Sequence, residues 1–338
     1  MHRIITERTE QHEMGIGRIW RPETFQGRNR KKNYFEGWYF KLIDKQRKTV
    51  MAIIPGISIG ESLEDAHAFI QVIDAVKGKV EYFRFAFDEF HADKTRMLVT
   101  IGRNTFSDNG IKLDLSNENT KISGELNFTE IDRYPKSFFS PGIMGPFSFV
   151  PGMECYHDVV NISHTINGSL LLNGTKTELT GGEGYIEKDW GDSFPQAWVW
   201  VQANHFEEPG ACFMFSVALI PWLGKKFTGL IAFLRTKSGF YKFTTYNGGK
   251  IRSIQLGENT LDVTLSNAKY VLSFSTNCPA GGILKAPKNG LMSREIEESI
   301  TAETTLRMSR RNGSVLFQGT SQWTGIEIAG GLEEIIRL

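Results

Sequence analysis

Two eight-residue stretches, GSLLLNGT at Gly168–Thr175 and GSVLFQGT at Gly313–Thr320, match in residue type at every position with an offset of 145 residues. LDLSN from Leu113 is answered by VTLSN from Val263 at an offset of 150, and MAIIPGI from Met51 by VALIPWL from Val217 at 166. Drift of this kind is what loop insertions produce. The unit is too long for a solenoid repeat, so the pattern predicts tandem duplication of a whole domain with the joint near Leu179. A length of 338 residues agrees, since it suits about two domains of roughly 150 residues. The expected division is a 1–30 N-terminal extension, a first domain over 31–178 and a second over 179–338.

Within each half, short alternating or continuous apolar runs are separated by turn residues. WYFKLI, AFIQVI, KVEYFRFAF, RMLVTIG, IKLDLS and KISGELNF occupy the first half, and AWVWVQAN, CFMFSVALI, GLIAFLR, YKFTTYN, LDVTLS and YVLSFST the second. Their period is that of β-strands, and no amphipathic helix of useful length interrupts them. Many evenly spaced strands close on themselves to avoid open edges. The predicted class is all-β, with two tandem antiparallel β-barrels. EEIIR near the C-terminus reads equally as a strand or a helical turn.

Charge excludes some functions. With 39 basic against 38 acidic residues there is no field to attract nucleic acid. Cys155, Cys212 and Cys278 are isolated from one another, which suits a reducing compartment, and the charged N-terminus has no signal-peptide core. The longest apolar run, about 14 residues from Ala211, is too short to span a bilayer. A cytoplasmic protein is expected, with membrane contact at most transient and peripheral.

The candidate chemistry sits in a few dense stretches. In FEGWYFK, alternation puts Glu36, Trp38 and Phe40 on one face and Phe35, Gly37, Tyr39 and Lys41 on the other. Glu36 is then either bonded to an Arg or backbone amides in a barrel-closing strand, or a carboxylate at a barrel mouth. In AWVWVQ, Trp198, Trp200 and Gln202 share a face that suits a flat or polyene ligand as well as it suits core packing. YIEKDWGD sets Tyr185, Glu187, Lys188, Asp189 and Asp192 around Trp190. An acid beside an indole can be held protonated by desolvation, whereas Lys188 favours an ion pair. MECYHDVVNISH carries His157 and His164, and GLMSREIEES carries Arg294, Glu295 and Glu298, a mixture able to face a cleft between domains. HxH and HExxH spacings are missing, so no metal centre is predicted, and GxSxG, P-loop and dinucleotide fingerprints are missing too.

FEGWYFK, GPFSFVPGMECYH, GYIEKDWGDSFPQAWVWVQAN and SREIEES, in this order, resemble the tocopherol cyclase family, from about Tyr34 to the C-terminus. That family is similar in outline to carotenoid hydratase and lipocalin-like Diels–Alderase proteins, which implies paired lipocalin-like barrels. The resemblance implies an isomerisation without cofactor: a prenylated hydroquinone closes a chromanol ring after protonation of its nearest alkene. The expected partner is a hydrophobic small molecule, a prenylated phenol or quinol or another isoprenoid. On the matched positions, Glu187 or Asp189 is placed as proton donor, with Lys188 holding the remaining carboxylate. Glu36, Trp38, His157, Tyr185, Trp190, Trp198, Trp200, Gln202 and Arg294 form the expected substrate-binding set. A non-catalytic carrier of an isoprenoid or lipid and an alkene hydratase are the alternatives. The short, charged first 30 residues depart from a plastid-type extension and point to a non-plastid member.

Overall fold

The computed structural model describes residues 17–222 and 224–336, so the first 16 residues of the expected N-terminal extension lie outside the described residues. The first sheet contains β1 (Tyr34–Ile43), β2 (Val50–Ile59), β3 (His67–Asp74), β4 (Lys79–Ala86), β5 (Phe90–Ala92), β6 (Leu98–Ile101), β7 (Asn104–Ser107), β8 (Gly110–Ser116), β9 (Lys121–Arg133), β10 (Cys155–Leu172), β11 (Thr175–Glu178) and β12 (Gly182–Gly191). Its order is β4-β3-β2-β1-β12-β10-β9-β8-β7-β6-β5, with β11 on β10. The second contains β13 (Trp198–Ala203), β14 (Cys212–Trp222), β15 (Lys225–Thr236), β16 (Gly239–Thr244), β17 (Lys250–Leu256), β18 (Thr260–Ser266), β19 (Tyr270–Asn277), β20 (Gly282–Lys288), β21 (Leu291–Arg310) and β22 (Val315–Ala329). Its order, β16-β15-β14-β13-β22-β21-β19-β18-β17 with β20 on β21, repeats that of the first sheet from β4 to β7. The chain is all-β, two tandem lipocalin-like antiparallel barrels, with EEII inside a short terminal helix, Leu332–Ile336.

Both barrels close at the same seam. A single 3₁₀ turn, Phe87–Glu89, carries the chain from edge strand β4 to the opposite edge β5, and Thr245–Asn247 does the same between β16 and β17. Each turn is capped alike: Glu89 accepts from the Ala86 amide at 2.8 Å and Asn247 from the Thr244 amide at 2.9 Å. The β8–β9 and β18–β19 turns also match, with the Asn117 and Asn267 side chains accepting from amides two and three residues ahead.

Two expectations about the repeat need correction. The octapeptides are not equivalent in space, because GSLLLNGT runs along β10 into a hairpin while GSVLFQGT runs out of a hairpin into β22. The true counterparts are Asn173-Gly174-Thr175 and Asn312-Gly313-Ser314, which turn the corresponding hairpins. Nor does the chain change sheet at Leu179. β12 pairs with both β1 and β10 and so completes the first barrel, and the crossing falls between Gly191 and Trp198.

Three cores result. Trp38, Phe40, Leu42 and Ile186 fill the first barrel, and Val199, Val201, Phe213 and Phe274 the second. The third lies between the barrels, where Tyr39, Tyr185, Trp198, Trp200, Met214 and Phe233 meet. Polar contacts tie this interface: Gln71 and Lys285 exchange hydrogen bonds at 2.9 and 2.8 Å, and the Ser58 hydroxyl donates to the Gly290 carbonyl at 2.6 Å.

The residues just before β1 are no detached extension. They lie against the first barrel and complete a buried ion pair, Lys188 Nζ to Glu36 Oε1 at 2.5 Å, with both side chains inaccessible to solvent. Glu36 also accepts the Gln26 and Gly27 amides at 2.9 to 3.0 Å and the Tyr34 hydroxyl. Lys188 donates to the Pro22 and Thr24 carbonyls at 2.7 and 2.6 Å and lies 4.9 and 4.5 Å from the ring centres of Trp38 and Trp190. Every strong donor and acceptor is met, which is what makes two buried charges tolerable. Lys188→Met should therefore lower the unfolding free energy by about 3–5 kcal/mol, since it strands Glu36. Urea denaturation of this variant beside Glu36→Gln/Lys188→Met tests the point: the double variant should recover part of the loss, and a single variant as stable as wild type would refute it.

Candidate functional site

Strand alternation decides what reaches the space between the barrels. β1 turns Trp38 and Phe40 inward, leaving Phe35, Gly37 and Tyr39 on the outer face. In the adjacent β12, Ile186 and Lys188 point inward, and Glu187 and Asp189 point out. On β13, Val199 and Val201 fill the second barrel and Trp198 and Trp200 face the first. The outer faces enclose a cavity of about 180 Å³, lined also by Met144, Phe147 and Met153 from the β9–β10 loop and by Ile296, Glu298 and Glu327 from β21 and β22.

Glu187 is 4% exposed. Its Oε2 accepts the Tyr185 hydroxyl at 2.7 Å and the Trp200 indole N–H at 3.2 Å, and lies 3.7 Å from His157 Nε2. Burial pushes its carboxyl up to about 7, against the pull of His157. The other face of the imidazole is held by Asp189, whose Oδ1 is 2.9 Å from Nδ1. Burial opposes protonation of His157, yet Asp189 and Glu187 together outweigh it and raise the imidazolium to about 9. At neutral pH this wall holds an imidazolium between two acids, one of them poised to exchange its proton.

A second acidic group faces it from the other barrel. Glu298 and Glu327 are cross-strand neighbours on β21 and β22. Tyr39 donates to Glu298 at 2.6 Å and the Trp198 indole to Glu327 at 2.7 Å. Burial raises both carboxyls. Repulsion from Glu327 raises Glu298 further, while hydrogen bonds from Trp198 and Glu298 restrain Glu327, so the pair keeps a proton on Glu298. Tyr39 links the walls, being the cross-strand partner of Glu187 as well as a donor to Glu298.

Of the expected residues, Glu187, Asp189, His157, Trp198 and Trp200 meet at the cavity. Tyr185 supports Glu187 from behind, and Arg294 stacks on Trp198 at 4.6 Å while donating to the Pro195 and Gln196 carbonyls. Glu36, Trp38, Lys188 and Trp190 do not reach it. Lys188 cannot hold the carboxylate left over by Glu187 or Asp189, because neighbours on a strand point to opposite faces. Trp190 stacks on Tyr156 at 5.4 Å, and Gln202 bonds the buried Lys41 amine at 2.7 Å. Sequence reading missed Tyr39 and Glu327 as site residues. The signal for Glu327 is a lone acid between Ile326 and Ile328 in an alternating strand.

His157, Glu187 and Asp189 have ligand atoms within 4.8 Å of one another, the spacing of a possible cation site that no local motif could show because β10 and β12 supply the ligands separately. Asp189 already bonds His157, and Glu187 accepts from Tyr185 and Trp200.

A family model described as tocopherol cyclase-like matches residues 141–331. Tocopherol cyclase, chloroplastic, from Zea mays is 24% identical over 217 residues, covering 58% of this chain and 43% of its own length. Probable tocopherol cyclase, chloroplastic, from Oryza sativa subsp. japonica is 27% identical over 197 residues, covering 54% and 41%. The chain thus spans less than half the length of these curated relatives. Among solved structures, CghA with Sch210972 has a TM-score of 0.55 at 12% identity, covering 88% of this chain and 89% of that one, and CghA alone 0.51 at 12%, covering 88% of each; the likeness is one of fold. The matched segment takes in β10, β12, β13, β21 and β22, the strands that bring His157, Glu187, Asp189, Trp198, Trp200, Glu298 and Glu327 together, and the chain belongs to the tocopherol cyclase-like family.

Proposed function

We propose that the protein is a cofactor-free isomerase that closes a prenylated hydroquinone to a chromanol by protonating the alkene nearest the ring. The observation that carries this reading is Glu187, a buried acid with its pKa raised to about 7 on the wall of an aromatic cavity. Both of its protein donors bind Oε2, which leaves Oε1 to present a proton to a ligand. Transfer to the less substituted alkene carbon creates a tertiary cation, sheltered by the faces of Trp198 and Trp200. The Glu187 carboxylate so formed is stabilised by the His157 imidazolium. The phenolic oxygen then forms the new C–O bond, and its proton passes to the Glu298–Glu327 pair. Tyr39, bonded to Glu298 beside Glu187, offers the return path, so substrate and product have the same mass. The free thiols of Cys155, Cys212 and Cys278 suit a cytoplasmic, reducing setting.

Gly37 gives the substrate room. It is the cross-strand partner of Asp189, and a Cβ there would meet nothing closer than 3.6 Å. A longer side chain would occupy the cavity rather than clash with the fold. Gly37→Leu should weaken binding of a short-chain prenylated hydroquinone about tenfold or more at little cost in melting temperature. Equal affinity in the two proteins, by titration calorimetry, would remove the cavity from the proposal.

Incubation with that quinol, followed by chiral chromatography and mass spectrometry, should yield one enantiomer of a chromanol of unchanged mass. Glu187→Gln should reduce turnover by roughly 10²–10⁴-fold while leaving ligand affinity within a few-fold. Ligand bound but unchanged by wild type would instead make the protein a carrier. Because the acid form of Glu187 is required, kcat should fall tenfold per unit above about pH 7. A flat profile from pH 6 to pH 9 would exclude Glu187 as donor.

A further inference from the structure

We propose that the β9–β10 loop, with the residues packed on it, is a docking surface for an anionic lipid bilayer that delivers the hydrophobic ligand to the cavity. Phe138 and Phe139 are 69% and 74% exposed, and Phe149, later in the same loop, is 38% exposed. They form one cluster: Trp20 lies 5.5 Å from Phe138 and 5.4 Å from Phe149, and Phe139 lies 5.1 Å from Phe138. Leaving such rings in water is costly, and among the described residues none covers them.

Three observations favour a bilayer over a protein partner. The turn carrying the two most exposed rings satisfies part of its backbone, as Ser137 and Ser140 exchange amide hydrogen bonds at 2.8 and 3.1 Å and the Phe138 carbonyl accepts the Trp20 indole at 3.0 Å. Such a tip can enter an apolar layer without stranding these polar groups. Among the described residues, the loop, the Trp20 segment and the β14–β15 hairpin carry Arg18, Arg21, Lys136, Lys225 and Lys226 against Glu154 and Glu23, the latter paired with Lys136 at 2.5 Å, although the whole chain has a formal charge of just +1. Cations flanking aromatic rings match the headgroup zone of an anionic leaflet. The loop's other side lines the cavity through Met144, Phe147 and Met153, and Phe147 stacks on Phe227 next to the half-exposed Trp222. The same loop thus carries exposed rings on one side and cavity lining on the other.

Vesicle flotation of the full chain tests this without reference to turnover. With phosphatidylcholine–phosphatidylglycerol vesicles the wild type should float, more weakly in high salt and with phosphatidylcholine alone. Phe138→Ser/Phe139→Ser, which removes only exposed rings, should keep the wild-type melting temperature and lose about tenfold or more in partitioning. Wild type that stays with the unbound fraction, or a double variant that floats equally well, would overturn the proposal. So would a dimer in sedimentation that the double variant dissolves, since the surface would then belong to a second copy of the chain.

Discussion

Strands whose two faces are both buried govern this molecule. β1, β12, β13 and β22 each give one face to a barrel interior and the other to the space between barrels, so no polar residue along their middle can turn to water. Each must be satisfied where it stands. Inside the first barrel, Glu36 and Lys188 neutralise each other and draw in the backbone of residues 22–27. One residue along the same strands, Glu187, Asp189 and Tyr39 face the cleft, where acids outnumber the one imidazole and protons must be held or shared. The same chemistry thus gives a closed structural pair on one face and a proton-bearing site on the other.

Much of this was legible in the sequence. Period-two runs marked most strands, the paired motifs revealed the duplication, and FEGWYF, EKDWG and WVWVQ named three of the strands that build the cleft. Short strands such as β7 and β11 escaped because four residues carry little periodicity. The octapeptide match deceived because glycine and threonine mark any hairpin, whichever strand precedes it. Lys188 was placed beside its sequence neighbours although alternation already separated them. What alternation cannot supply is the partner of a face. It groups Trp198 with Trp200, but whether they line a lumen or an interface depends on contacts roughly 160 residues apart, as between Tyr39 and Trp200, whose rings are 5.5 Å apart.

Four carboxyls and an imidazole around one apolar cavity carry a desolvation cost that a purely structural interface would avoid, since apolar residues of similar volume pack there as well or better. Indole, tyrosine and imidazole donors offset part of that cost for Glu187, Glu298 and Glu327, and proton retention offsets more. Retained acids with shifted ionisation at the edge of a cavity are the signature expected of a catalytic centre. The cleft needs both barrels, because the Glu187 wall and the Glu298 wall come from different ones.

The seam turns at Phe87–Glu89 and Thr245–Asn247 join the outermost strands of each sheet, whereas β1, β12 and β10, like β13, β22 and β21, lie at its middle. A barrel that breathes does so where ladder hydrogen bonds are missing. Fluctuation is thereby steered to the edge strands rather than to the strands that carry the carboxyls, and hydrogen exchange at β4, β5, β16 and β17 can proceed while the proton-carrying strands keep their register. The fold separates the place where it yields from the place where it must stay still.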